Sequence, residues 1–322
     1  MRRISAALLV PLVAGLALVG CGSASSSSSD PNSAVSVSGA FGKVPDVKIP
    51  ASKADSKLDV STAIKGTGAV VPSGDNVLAN LAIYKWSGKT HKLLESTFTA
   101  FPAVVPAEIG LKGLASAIKG QKVGTRILAV LPPKYGYGTA GNTNLGVTKT
   151  DTTVWVIDLI KPFAPTAAAS GTTVSSGGGT LPTVKQATGA APVITVAPSL
   201  RKSPPKGLVV KTLIQGNGPV IGTKDTVVAQ YVASIWRTGA VFNTTWPSAQ
   251  SAGLPFSFAM GSNGVIAGFQ KGLTGVKVGS RVMISIPPSL GYGSAGQSSV
   301  GIKGTDTLVF VVDVLDAVPA NG

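Results

Sequence analysis

Residues 279–296 read GSRVMISIPPSLGYGSAG, and residues 305–315 read TDTLVFVVDVL. Apolar side chains recur at every second position early in the first stretch and throughout the second, which predicts two half-buried β-strands. The paired prolines and the Gly-Tyr-Gly motif predict a loop after the first strand. Tyr292 therefore lies on a loop, where folding rarely requires an aromatic side chain, and it becomes a candidate site residue. Phe310 should point inward from the second strand.

Six short segments in this part of the chain share one family pattern. They are VVAQY at 227–231, GAVFN at 239–243, PFSF at 255–258, GVIAGF at 264–269, LGYG at 290–293 and TLVF at 307–310. In this order they resemble the FKBP family of peptidyl-prolyl cis-trans isomerases. The resemblance implies an α+β fold in which a curved antiparallel β-sheet wraps around a short helix, here expected near 266–273.

The resemblance also implies a pocket that receives a proline ring. The matched positions in the catalytic group are Tyr231, Phe242, Asn243, Phe269, Tyr292 and Phe310, and those in the substrate-binding group are Phe256, Val265, Ile266 and Ile302. Phe269 would form the floor, with Tyr231, Phe256 and Phe310 as walls. Val265 and Ile266 would form an apolar rim, and Tyr292 would offer its hydroxyl to a substrate carbonyl. Inward-facing aromatic side chains are also ordinary core residues, which is the alternative interpretation.

Three positions depart from the family pattern. Asn243 stands where the family has Asp, Phe269 where it usually has Trp, and Gln297 where its best-known member has His. Asn retains an acceptor oxygen but lacks the carboxylate charge. We therefore expect reduced but detectable isomerase activity.

A second copy of the pattern precedes the first. KVGTR at 122–126 matches KVGSR at 277–281, and the Pro-Pro and Gly-Tyr-Gly motifs recur at the same spacing of 155 residues. Such a repeat predicts two units of one fold. Leu81 and Leu114 replace Tyr231 and Phe269 in the first copy. An aromatic pocket cannot be built from leucines, so the first unit is expected to be a scaffold or weak binding module.

The ends and the middle of the chain have other compositions. Residues 1–20 resemble a secretory signal peptide, and the LVGC sequence ending at Cys21 resembles a bacterial lipobox, which implies lipidation of this cysteine. The serine-rich residues 21–40 are expected to form a flexible tether, and residues 164–190 a linker. The predicted domains are then 41–163, degenerate and FKBP-like, and 191–319, the isomerase. The protein is expected at the extracytoplasmic face of the cell membrane, held there by its lipid anchor.

Composition restricts the chemistry further. The 322 residues include one cysteine and one histidine, Cys21 and His91, which argues against a metal site of these ligands and against a disulfide framework. Neither a metal nor another cofactor is expected, since rotation about a prolyl bond needs no nucleophile. The net charge of +15 comes from scattered lysines, which does not favour nucleic-acid binding.

Two functions remain open. The first is a monomeric isomerase that assists folding, with prolyl-containing polypeptides as substrates and the family's macrolides as competing ligands. The second is a lipoprotein that uses both units to bind a protein partner or to act as a chaperone, without catalysis.

Overall fold

The computed structural model describes residues 30–106, 111–185, 189–249 and 252–319. Residues 1–20 and Cys21 lie outside these ranges, so the expectations of a signal peptide and a lipidation site concern residues that the structure does not describe. Within the described ranges, no helix has the length and apolar character needed to cross a bilayer.

The described elements of the N-terminal half are strands and a helix. They are β1 (Ser36–Ser38), β2 (Asp46–Lys48), β3 (Asp59–Ile64), β4 (Asn76–Ser87), β5 (Thr90–Ser96), β6 (Ala103–Val105), α1 (Lys112–Ile118), β7 (Arg126–Leu131) and β8 (Thr152–Phe163). The C-terminal half continues the same pattern. Its elements are β9 (Thr172–Thr173), β10 (Thr183–Lys185), β11 (Val193–Thr195), β12 (Val209–Gln215), β13 (Thr226–Ile235), β14 (Val241–Thr244), β15 (Phe256–Ala259), α2 (Ala267–Leu273), β16 (Arg281–Ile286) and β17 (Leu308–Val318).

Two antiparallel sheets organise these elements, in agreement with the predicted α+β class. The N-terminal sheet has the order β3-β7-β8-β4-β5, with β6 added on β4. The C-terminal sheet has the order β14-β13-β17-β16-β12-β9, with β15 added on β13. Each sheet shares a hydrophobic core with one helix, because α1 contributes Leu114 to one cluster and α2 contributes Phe269 to the other.

The central strands are buried on both faces, whereas the alternation in the sequence predicted half-buried strands. Ile284 and Phe310 pack with α2, and Met283 and Val311 pack in a second cluster on the opposite face. That second cluster includes Trp236 and is completed by the hairpin of β10 and β11. The side chains of the central strands are thus apolar on both faces of the sheet, which is the pattern of a sheet covered on both sides.

Strands β1 and β2 form a similar covering hairpin in the N-terminal unit, and the first strand of each hairpin lies in a stretch that was expected to be unstructured. Val184 of β10 lies in the predicted linker 164–190 and is only 2% exposed, and β9 of the same stretch pairs with β12. Val35 lies in the predicted tether 21–40 and is also buried. A tryptophan bonds the segment that follows each hairpin: Trp86 donates its indole N–H to the carbonyl of Ser52, and Trp236 to that of Leu200.

The two sheets contact each other through equivalent residues. Both β4 and β13 have a β-bulge, just after Leu78 in one and just after Val228 in the other, and these two residues belong to one hydrophobic cluster. Lys161 pairs with Leu78 and Asp316 with Val228, and the ammonium of Lys161 lies 2.8 Å from the Asp316 carboxylate. Leu78 and Val228 thus occupy matching positions, as do Lys161 and Asp316. The junction therefore has approximate two-fold symmetry.

Candidate functional site

An open cavity of about 400 Å³ lies on the helix-bearing side of the C-terminal sheet. It lies between strands β13, β15 and β17, the start of α2 and the loop after β16. Its lining residues are Tyr231, Phe256, Asn263, Gly264, Val265, Ile266, Phe269, Tyr292 and Phe310. The volume falls within the range of small-molecule sites, and apolar walls with a few polar groups are typical of them.

The helix brings Phe269 to the base of this cavity. Helix α2 begins at Ala267, with Ile266 in an extended conformation as its N-cap residue. Gly268 faces β16 so closely that a Cβ there would lie 2.4 Å from Cγ2 of Ile286. This close approach holds Phe269 against the sheet, where only 3% of the residue is exposed.

Four aromatic rings form a connected wall around the base. The ring of Tyr231 has its centroid 6.2 Å from that of Phe256, 6.0 Å from that of Phe269 and 5.9 Å from that of Phe310. The rings of Phe269 and Phe310 are 5.2 Å apart and meet edge to face. Such pairs each contribute about 0.5–1.5 kcal/mol beyond the area that they bury. The wall is therefore a rigid apolar surface.

Tyr231 is held at three points. Its backbone N–H donates to Oγ1 of Thr245, and its backbone carbonyl accepts from the N–H of the same residue. Its hydroxyl donates a 2.9 Å hydrogen bond to Oδ1 of Asn243. Burial, and to a smaller extent the nearby Tyr292, raises the pKa of the Tyr231 hydroxyl. At neutral pH this group is thus an uncharged donor.

Tyr292 differs from the other aromatic side chains in being exposed. It lies between two short 3₁₀ segments, Pro288–Leu290 and Gly293–Ala295, and 38% of the residue is accessible. The loop position predicted from the sequence is therefore observed. Its place in the cavity lining leaves a phenol available to a bound molecule.

Three predicted site residues do not line the cavity: Phe242, Asn243 and Ile302. Phe242 packs edge to face on Phe310, with ring centroids 6.0 Å apart. Ile302, expected to bind substrate, is 3% exposed and belongs to the hydrophobic core, while its backbone pairs with Gln297. Phe242 and Asn243 thus contact residues of the wall, and Ile302 is a core residue.

The cavity also contains residues that the sequence did not single out. Asn263 and Gly264 lie on the turn before α2, and Gln270 of the helix fixes this turn. Oε1 of Gln270 accepts from the N–H of Gly261 at 2.8 Å, and its Nε2 donates to the carbonyl of Ser262. The Gly-Ser-Asn-Gly sequence signalled a turn, but not that the turn would line a cavity.

In the equivalent region of the N-terminal unit, leucines replace two of the aromatic wall residues. Leu81 lies opposite Ile157, as Tyr231 lies opposite Val312 in the other sheet. Leu81 and Leu114 belong to one core cluster with Trp155, and Tyr137 packs against it.

Comparison with known proteins identifies the C-terminal unit. Residues 218–315 match the family model of the FKBP-type peptidyl-prolyl cis-trans isomerases. An FK506-binding protein of Streptomyces anulatus is 37% identical over 112 residues, which are 35% of this chain and 87% of the relative. A probable FK506-binding protein of Corynebacterium glutamicum is 36% identical over 113 residues, which are 35% of this chain and 89% of the relative. Among solved structures, FkpA from Escherichia coli aligns at 36% identity over 36% of this chain and 50% of that chain, with a TM-score of 0.31. The chain belongs to the FKBP-type peptidyl-prolyl cis-trans isomerase family.

Proposed function

We propose that the aromatic cavity of the C-terminal unit is the place where a prolyl peptide bond isomerises, and that the protein thereby assists the folding of other polypeptides. The observation that carries this proposal is the cavity itself: a rigid wall of four aromatic rings with the exposed phenol of Tyr292 beside it.

The physical reason is the electronic change during rotation. Twisting a peptide bond destroys amide resonance and meets a barrier of about 18–20 kcal/mol. The twisted amide is less polar than the planar one, so a dry apolar surface favours it relative to the ground state. Such a surface binds the transition state more tightly than the substrate, which accelerates the reaction without a nucleophile.

Each side chain then has a defined role. The proline ring would lie on Phe269, enclosed by the rings of Tyr231, Phe256 and Phe310. The hydroxyl of Tyr292 would donate to a substrate carbonyl and so orient the chain. Val265 and Ile266, just before α2, would provide the apolar rim, and the backbone N–H of Ile266 would offer a second donor.

A protease-coupled assay on the full chain with a short Ala-Pro peptide tests this proposal. We expect catalysis above the spontaneous rate, inhibition by FK506, and a loss of about tenfold in kcat/KM for Tyr292→Phe or Phe269→Ala, the cost of one buried hydrogen bond or aromatic contact. The spontaneous rate alone, from protein whose circular dichroism shows it to be folded, would favour the non-catalytic binding function.

For the N-terminal unit we propose a supporting role in binding. Leu81 and Leu114 occupy the positions of Tyr231 and Phe269, and these smaller aliphatic side chains do not provide an aromatic surface. The two units together are proposed to be a tandem of FKBP-like domains, of which the second carries the activity.

We further propose that the protein acts outside the cytoplasm, anchored by lipid on Cys21. The support is the sequence: two arginines, an apolar stretch and the LVGC motif at 18–21, with no other cysteine in the chain. More than one acyl chain is needed for stable anchoring, since each buried CH₂ contributes about 0.8 kcal/mol. Mass spectrometry of the N-terminal peptide from membranes tests this; an unmodified Cys21 would contradict it.

A further inference from the structure

The junction between the two sheets contains a second cavity, here called the junction cleft. Its volume is about 300 Å³, and both units contribute to its lining. The lining residues used below are Phe41, Asn80, Phe101, Lys224, Val318 and Pro319. Phe41 and Phe101 are among the most exposed aromatic side chains, at 37% and 36%. The cleft thus combines two accessible rings with a cation, and it shares no lining residue with the isomerase cavity.

A buried amide lines this cleft. Asn80 of β4 is only 3% exposed, and among the described residues its Oδ1 has no hydrogen-bond partner. An unsatisfied buried oxygen costs about 1–3 kcal/mol. The terminal torsion of an asparagine is broad and roughly two-fold, so either end of the amide can turn toward the cleft. Asn80 is therefore suited to a ligand that presents both an N–H and a carbonyl.

The other unit indicates what such a ligand is. Gln230 on β13 occupies the position equivalent to Asn80, since Gln230 pairs with Asp313 as Asn80 pairs with Asp158. Nε2 of Gln230 donates a 2.7 Å hydrogen bond to the backbone carbonyl of Pro165. The equivalent site in the C-terminal unit is therefore occupied by a proline-containing turn of this chain, which the N–H of Ala167 closes by donating to the carbonyl of Ala164.

We propose that the junction cleft is a second binding site for a proline-containing turn of a client polypeptide. The amide of Asn80 bonds the client backbone as that of Gln230 bonds Pro165. The rings of Phe41 and Phe101 take an apolar side chain next to the proline, and Lys224 at the rim takes a carbonyl or carboxylate. That the ligand is a client polypeptide rests on the proposed function. Binding in the junction cleft does not depend on catalysis in the isomerase cavity.

A photo-crosslinking experiment on the full chain tests this inference. The probe is the peptide Phe-Ala-Pro-Thr-Ala-Ala, the sequence of residues 163–168, with benzoylphenylalanine in place of its phenylalanine. FK506 is added in excess to occupy the isomerase cavity, and labelled sites are mapped by mass spectrometry. We expect labelling within 97–102 and at 318–319.

Two variants and a matched control locate the binding. Ala100→Trp fills the cleft from an exposed position and should abolish this labelling, while Thr99→Trp, next to it and outside the lining, should not. Asn80→Ala should weaken peptide binding about fivefold to tenfold, the effect of one lost hydrogen bond.

Equal labelling of wild type and Ala100→Trp would overturn the inference, as would labelling confined to the isomerase cavity or no labelling at all. The isomerase rate of the same preparations on a short peptide is a separate readout. It should be unchanged in Ala100→Trp, so failure of the cleft and failure of the catalytic site can be told apart.

Discussion

The phenol of Tyr231 donates a 2.9 Å hydrogen bond to Oδ1 of Asn243 at the edge of the aromatic cavity. The two residues belong to paired strands, β13 and β14, and Asn243 is exposed on the outer strand. The bond therefore ties the orientation of a cavity wall to a residue that solvent can reach. It also involves Asn243, one of the three positions that depart from the family pattern, and a substitution there tests the bond directly.

Removing the hydroxyl of Tyr231 should have a modest effect, because the ring remains. For Tyr231→Phe we expect a decrease of about threefold in kcat/KM and a loss of about 1 kcal/mol in unfolding free energy, the net value of one hydrogen bond. Tyr231→Leu introduces the residue found at the equivalent position 81, removes the aromatic wall and should cost about tenfold or more. Protease-coupled assays measure kcat/KM of the two variants, and urea unfolding measures their unfolding free energy. An equal effect of the two variants would contradict the role of the ring.

Restoring the family's carboxylate should strengthen the bond. A hydrogen bond to an ionised acceptor is about twice as strong as one between neutral groups, so for Asn243→Asp we expect kcat/KM to rise about threefold. In the Tyr231→Phe background the same substitution should have no effect, since the donor is absent. A rise of equal size in both backgrounds would show that the charge acts on the substrate and not through Tyr231.

Sequence reasoning was most successful where the pattern is local. The loop position of Tyr292 and the inward direction of Phe310 follow from turn residues and from alternation, and the structure has both. Helix α2 begins one residue later than the predicted 266–273. Ile302 was assigned to substrate binding by matching alone, and its burial in the core depends on long-range packing.

The covering hairpins could not be predicted for a different reason. Strands β10 and β11 have three residues each, too short for a periodic signal. They are ordered because the outer face of the sheet presents apolar side chains, including Trp236, that need a cover. That requirement becomes visible only when the sheet is assembled. The available signal was Trp236 beside the apolar outer positions of the sheet strands, because such a surface needs a covering segment.

Alkaline pH should destabilise the fold partly through Tyr231. Burial raises the pKa of its hydroxyl above the ordinary value of 10.0, so the unfolded chain ionises first as pH rises. The stability that the neutral Tyr231 hydroxyl contributes is fully present below pH 10.0. It is lost as the pH rises through the raised pKa of the folded protein. Tyr231→Phe should therefore show a smaller fall in urea midpoint between about pH 8 and about pH 11 than wild type. Tyr84 and Tyr137 have raised pKa values as well, so part of the fall should remain. Parallel curves would contradict the prediction.

The buried ion pair of Arg281 and Asp313 should be sensitive to the loss of one partner and tolerant to the loss of both. Its side chains are 2% and 1% exposed, and the guanidinium contacts both carboxylate oxygens. Arg281→Met leaves an uncompensated buried charge and should cost about 3–5 kcal/mol of unfolding free energy. Arg281→Met combined with Asp313→Leu should recover most of this loss of stability.

Lys161→Ala is the matched control: its side chain is 44% exposed in the pair with Asp316, and its loss should cost less than about 1 kcal/mol. Urea unfolding of the four proteins, wild type included, decides this. If the double variant is no more stable than Arg281→Met, charge compensation is the smaller effect. The main role of the pair is then to hold the neighbouring backbone, through bonds such as that from the N–H of Ala169 to Asp313.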